Sequence, residues 1–258
     1  MTRVALTIAG SDPSGGAGLQ ADLKTFHQFG VYGEAVVTLI TVQNTRGVTR
    51  VDPLAADLVA AQIRAVLDDI PPDAAKTGAL GSKEVVMAVA TCAAEFNFPL
   101  VVDPVMISKR GPRLLDDDST RVLIEHLIPR AFLLTPNLDE AAALTGCVVN
   151  DRDSMIRAAE KLVTLGAANV LVKGGHLAGD ALDVLLTGSG EVHEFTAPRV
   201  ATPHTHGCGC TYSAAITAEL AKQVPLREAV RNAKDFITRA ILTNPGLGSG
   251  QGPLNHHA

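Results

Sequence analysis

The chain has 258 residues, 47% apolar but only 3% aromatic, with a formal net charge of −5 and four cysteines. This length fits one large domain over residues 1–258, since no composition shift, repeat or linker divides it. The acidic balance excludes nucleic acid as a partner, and no apolar run approaches the ~20 residues that span a bilayer.

Arg3 to Ala9 predicts a first strand, with neither the basic nor the apolar run of a signal peptide. Cysteines this sparse suit free thiols in a reducing cytoplasm. The strand breaks at Gly10–Gly18, and Leu19, Leu23 and Phe26 then recur at helical spacing. Ala35–Val42 is a β-rich run ending at Gln43, Asn44 and Thr45. Helices are expected over Leu54–Leu67, Lys83–Phe96, Ser119–Leu127, Asp153–Leu165 and Thr211–Lys222. Short strands are expected over Ala74–Thr77, Leu100–Pro104, Phe132–Thr135, Asn169–Val172 and Val192–Phe195. The alternation predicts an α/β fold, a mostly parallel central sheet with helices on both faces. In such sheets ligands bind beyond the carboxyl ends of the strands. Those positions carry Asp12, Gln43, Lys76, Asp103, Asn137, Lys173 and Cys210.

The densest chemistry lies in Thr202–Ile216. Gly207 and Gly209 remove side chains at a turn, so backbone N–H groups converge there. The helix behind them adds unpaired N–H groups and the positive end of its dipole. Such a turn seats an anion, most often phosphate. Cys210 stands at its mouth, where a helix N-terminus is expected to lower the thiol pKa below ~8.5. Two other phosphate motifs are excluded. Gly10 and Gly15 have P-loop spacing, but Gly16 and Ala17 follow where Lys and Ser/Thr are required. Gly15-Gly-Ala-Gly18 fails the dinucleotide pattern too.

A glycine turn before a late helix resembles the ribokinase superfamily, whose members usually carry Asp at position 210. With Cys there, after Thr-His-Gly-x-Gly, the chain resembles the hydroxymethylpyrimidine/phosphomethylpyrimidine kinases of thiamine biosynthesis and their pyridoxal-kinase relatives. Ala9-Gly-Ser-Asp-x-Ser-Gly-Gly-Ala-Gly-x-Gln-Ala-Asp22, Thr41-x-Gln-Asn-Thr45, Val102-Asp-Pro-Val105, Thr135-Pro-Asn-x-x-Glu140, Lys173-Gly-Gly-His176 and Gly250-x-Gly-Pro-Leu-Asn-His256 match in family order.

The resemblance implies a ribokinase-like kinase that uses ATP and Mg²⁺, with a monovalent cation as a further candidate, in a cytoplasmic homodimer. It implies phosphorylation of 4-amino-5-hydroxymethyl-2-methylpyrimidine and then of the monophosphate. Cys210 would be the base, with Gly207, Cys208 and Gly209 cradling the phosphoryl group. Gln43, Gly10, Asp12, Ala79 and Val105 would meet the pyrimidine, a carboxamide suiting an aminopyrimidine edge. Lys173, Asp103, Thr205 and His206 would meet the nucleotide. Asn137 and Glu140 would hold Mg²⁺ through water, since that ion keeps several waters.

Three departures stand out: Ala79 replaces the usual Met, Cys208 the usual Thr, and His204 the usual Asn. The smaller Ala79 keeps a pyridoxal or pyridoxine kinase open as an alternative, and a catalytically silent nucleotide or metabolite sensor is a third reading. His204, His206, Cys208 and Cys210 alternate, and an extended chain puts all four on one face, as a zinc site requires. The glycines and the following helix should break that geometry. His193, His256 and His257 read as surface or tail residues. Either the Asp12–Gly18 loop or the Lys109–Asp118 segment should cover the site.

Overall fold

The computed structural model describes residues 2–106, 115–175, 177 and 179–258. His176 and residues 107–114, which include most of one candidate cover, lie outside that set.

Runs of Val, Leu, Ile and Ala make the strands: β1 (Val4–Ser11), β2 (Tyr32–Asn44), β3 (Gly47–Pro53), β4 (Ala74–Thr77), β5 (Leu100–Val102), β6 (Leu133–Leu134), β7 (Val170–Gly174), β8 (Ala181–Leu186) and β9 (Val192–Ala197). They form one sheet in the order β3-β2-β1-β4-β5-β6-β7-β8-β9. From β2 to β7 every pairing is parallel. The antiparallel strands β3, β8 and β9 extend its ends.

Side chains alternate along each strand, so each sheet face takes its own set. Leu6, Ala75, Val102 and Val172 point into one core. It is closed by α2 (Ala56–Asp69), α3 (Lys83–Ala93), α4 (Asp117–Val122), α5 (Leu138–Thr145) and α6 (Arg152–Thr164). Ala5, Ala74, Val101 and Leu171 point into the other. That one is closed by α1 (Gly18–Gln28), α7 (Cys208–Ala221) and α8 (Leu226–Leu242). α7 is buried on every side from Thr211 to Ala221. Its run of Ala, Thr and Ser lets it lie close against β1, β4 and β5.

The expected α/β class and mostly parallel sheet are present. Four elements go beyond the expectation: β3, β8, α5 and α8. After β1 the chain forms β2 and β3 on one side, then crosses to β4 on the other. This reversal opens a crevice at the carboxyl ends of β1 and β4.

Candidate active site

Polar residues gather where the parallel strands run out. β1 ends in a register shift between Ala9 and Ser11. Gly10 is required there, since a Cβ would lie 2.5 Å from Leu39 Cδ1. Beyond it Asp12 organises the first loop. Its carboxylate accepts from Ser14 N–H at 2.8 Å, Ala17 N–H at 2.8 Å and Gly16 N–H at 3.2 Å. His206 Nε2 lies 2.8 Å away. Burial opposes the Asp12 charge, but the bonds from His206 and Ser14 outweigh it and keep the carboxyl below its ordinary range. Asp12 and His206 thus spend their side chains on each other, tying the first loop to the approach to α7.

β2 carries a register shift between Val42 and Gln43, a bulge of the kind that re-aims a side chain beside a site. Half-buried Gln43 lines the same cavity as Ala79, which follows β4, and Val105, which follows β5.

Asp103, just past β5, and Lys173, on β7, form an ion pair of 2.8 Å. Thr135 Oγ1 donates to Asp103 at 3.2 Å and Ser213 Oγ at 3.3 Å. Burial works against the Asp103 charge, but Lys173 and then Lys76 overcome it and hold the carboxyl low. The Lys173 ammonium is likewise disfavoured by burial and rescued by Asp103 and Glu140, which raise its pKa. The Asp103 side chain therefore faces the cavity cation instead of capping the Pro104 turn.

Asn137 is the N-cap of α5, and with Glu140 it forms a capping box. Asn137 Oδ1 accepts from Glu140 N–H at 2.9 Å, and Glu140 Oε2 accepts from Asn137 N–H at 2.8 Å. Burial pushes the Glu140 carboxyl up to about 7, against the pull of Lys173 and with a further push from Asp103. Glu140 lines the cavity with Asn137 and Asp103, and carboxylates placed there fit an Mg²⁺ ion held through water.

α7 begins at Cys208, three residues earlier than expected. Gly207 takes the N-cap at φ +82°, where a Cβ would lie 1.8 Å from Gly16 O. Gly209 and Cys210 are thus in the first helical turn. Helix geometry leaves their N–H groups without intrahelical acceptors, and both residues line the cavity with Cys208 and Thr205. At Gly209 a Cβ would lie 3.5 Å from Lys173 Nζ and 3.8 Å from Asp103 Oδ2. The first turn of α7 and the Lys173–Asp103 pair therefore face each other across one side chain's width.

The Cys210 thiol departs from expectation. Burial pushes its pKa up to about 12, and the charges of Asp22 and Asp103 add to the rise. Lys76 and a backbone contact from Gly18 pull the other way without prevailing. Desolvation thus works against the thiolate that the position at a helix start leads one to expect.

One cavity of about 610 Å³ joins these groups. Its β2 and β4 wall carries Gln43 and Ala79. Its far wall comes from α8 and the segment after β9, through Ile237, Ile241 and Val200. A buried Lys234–Asp183 pair of 2.6 Å lies there too. This far wall was not anticipated, although the apolar spacing at 229, 230, 233, 236, 237 and 240 encodes it.

The alternating His/Cys face does not form. His204 Nδ1 accepts from Gly252 N–H at 3.1 Å, His206 meets Asp12, and the two cysteines lie within α7. Among the described residues no three His, Cys, Asp or Glu side chains converge as metal ligands. His256, expected in the tail, is buried, with Nε2 3.2 Å from Thr211 Oγ1. Burial, with Lys24, His257 and His206 nearby, lowers its pKa to about 4.

A helix N-terminus facing a lysine in the crevice of an open parallel sheet defines a small-molecule kinase of ribokinase-like fold. The phosphomethylpyrimidine kinase family model matches residues 12–255, and the chain belongs to that family. It is 46% identical over 257 residues to the hydroxymethylpyrimidine/phosphomethylpyrimidine kinase of Bacillus subtilis, covering 98% of this chain and 94% of that one. It is 50% identical over 253 residues to the thiamine biosynthesis bifunctional protein ThiED of Geobacter sulfurreducens, covering 97% of this chain and about half (51%) of that longer protein. Among solved structures, Bacillus subtilis pyridoxal kinase in complex with ADP superposes with a TM-score of 0.91 at 40% identity, covering 100% of this chain and 98% of the other.

Proposed function

We propose that this protein transfers the γ-phosphoryl group of ATP to the hydroxymethyl oxygen of 4-amino-5-hydroxymethyl-2-methylpyrimidine, and then phosphorylates the monophosphate. The observation that carries this is the juxtaposition of Gly209 and Cys210 with Lys173 and Asp103 in a cavity that also holds Gln43. Phosphoryl transfer needs positioning and charge neutralisation more than covalent help. The N–H groups of Gly209 and Cys210 receive the transferring group, where one such donor is worth ~10²–10³ in rate. Lys173 swings from Asp103 to the nucleotide phosphates, for which its ammonium is a point charge. Gln43 reads the amino group and ring nitrogen of the acceptor, and Val105 and Ala79 pack against its ring. Cys210, having first given its own proton to solvent, takes the acceptor's proton as the thiolate. Glu140, with Asn137 and Asp103, holds Mg²⁺, which neutralises phosphate charge when bound. The kinase acts in the cytoplasm, in keeping with cysteines that form no disulfide among the described residues and no helix, among those residues, long and apolar enough to cross a membrane.

Pyridoxal is the second candidate acceptor, favoured by the small Ala79 and by the likeness to a pyridoxal kinase. The test is coupled ADP release with the pyrimidine alcohol, its monophosphate and pyridoxal, measured side by side on wild type and Cys210→Ala. The expected result is turnover on both pyrimidines, at least tenfold lower in the variant. Turnover on pyridoxal alone reverses the assignment. Turnover on none of the three points to a nucleotide or metabolite sensor.

A further inference from the structure

Phosphoryl transfer asks nothing directly of the Lys234–Asp183 pair, yet hydrogen bonds join that pair to the strand that carries Lys173. Lys234, on α8, donates to Asp183 Oδ2 at 2.6 Å and to Ala181 O at 2.9 Å. Asp183 sits on β8 directly opposite Lys173 of β7. Its other oxygen, Oδ1, accepts at 3.0 Å from the N–H of Gly174, the residue after Lys173. One carboxylate thus bridges α8 to the carboxyl end of β7. On the other edge of β7, Lys173 N–H donates to Pro136 O at 2.8 Å, just before the Asn137–Glu140 cap. The Lys173–Gly174 backbone is therefore held from two sides, by the turn before α5 and by α8 through Asp183. Both members of the pair are nearly sealed, their side chains 8% and 3% exposed. Apolar side chains of similar volume often serve stability as well as such a pair, but they would leave Gly174 N–H without its acceptor. With two bonds spent on β8 and little exposure, the Lys234 ammonium acts on the reaction through β7.

We propose that Lys234 is a positioning residue for phosphoryl transfer: through Asp183 and the Gly174 N–H it fixes the end of β7, from which Lys173 reaches the nucleotide phosphates. The inference rests on the reading of Lys173 as the cation that meets those phosphates. Lys173 turns from Asp103 toward an arriving phosphate by rotation about its own side-chain bonds. That swing ends in the right place only while its Cα stays put, and a misplacement of about 1 Å costs on the order of 10² in rate. No bond is made or broken at Lys234 or Asp183.

A double-mutant cycle on kcat/KM for ATP, with Lys234→Met, Lys173→Met and the two combined in the full-length protein, tests this. Each single substitution should lower kcat/KM at least about tenfold. In the Lys173→Met background, Lys234→Met should cost little more, because no cation remains to be positioned. The KM for the pyrimidine alcohol should stay near its wild-type value in Lys234→Met. Losses that multiply in the double variant, as general loosening or direct nucleotide contact by Lys234 would give, overturn the proposal. So does wild-type kcat/KM in Lys234→Met. A second comparison serves if the orphaned Asp183 keeps Lys234→Met from folding. Asp183→Asn added to Lys234→Met removes the unpaired charge but keeps an acceptor for Gly174, and should restore most of the turnover. Asp183→Leu in the same place removes the charge and the acceptor together, and should not. Equal turnover in those two double variants overturns the proposal. Near-wild-type turnover of Lys173→Met would overturn the reading of Lys173 and the inference with it, whereas the other outcomes overturn the inference alone.

Discussion

Two lysines stand near the carboxyl ends of strands in the same sheet, each 2.7–2.8 Å from an aspartate, yet they occupy different regimes. The Lys76–Asp22 pair is sealed, at 0% exposure for both side chains. Lys173 keeps 13% of its side-chain surface, and Asp103 holds hydroxyl donors from Thr135 and Ser213. A sealed pair cannot exchange partners without exposing a bare charge, so it acts as a permanent electrostatic fixture. The half-open pair can release its cation to an arriving phosphate because the carboxylate left behind retains other donors. Burial, more than residue type, separates the two roles.

The largest effect that would sharpen the contrast is expected from Lys173→Met. Turnover should fall by ~10²–10³, while thermal stability falls less than in Lys76→Met, where the sealed Asp22 loses its paired cation. Equal losses of stability in the two variants would erase the distinction. Next is Gly209→Ala, whose methyl group fits at ordinary contact distance but enters the gap between α7 and Lys173. Melting temperature should hold or rise, since Ala favours a helix by ~1 kcal/mol over Gly, while turnover drops at least tenfold. Near-wild-type turnover would mean the phosphoryl group does not pass over Gly209.

The smallest expected effect separates the surroundings of the two lysines by pH. Glu140, beside Lys173, has a folded pKa raised from 4.5 to about 7. The native state therefore binds the extra proton between those values, and the Mg²⁺-free protein loses stability as pH rises through that window. On the proposed role of Glu140 at Mg²⁺, the ion would need the ionised carboxylate, and the Mg²⁺ concentration for half-maximal turnover should climb several-fold as pH falls below about 7. Glu140→Gln should flatten the stability trend, and a trend that persists in this variant belongs to another group.

Much of this site is legible in the sequence because parallel strands are written as apolar runs that end on a polar residue. Asp103, Asn137 and Lys173 follow such runs, and each lines the cavity. β3 escapes notice because an edge strand with exposed Thr49, Arg50 and Asp52 carries no apolar run. α5 is only eight residues long, and its start signal coincides with the site motif Asn137–Glu140. α8 is different, since its buried positions do carry a visible helical period. The Cys210 titration is beyond sequence reach: local position favours the thiolate, while α1, β4 and the residue after β5, all distant in sequence, bury and surround the sulfur. His256 reads as tail for the same reason, its partner Thr211 lying 45 positions away.

The segment Gly250–His256 fastens onto parts of the molecule encoded far apart: Thr45 through Gly250 and Gln251, His204 through Gly252, and Thr211 through His256. During synthesis every strand of the sheet is available before these residues leave the ribosome. The scaffold can therefore assemble early, while the turn at Thr45 and the approach to α7 gain these bonds later. The loops around the cavity are thus tied together by the part of the sheet-forming chain that is translated after every strand.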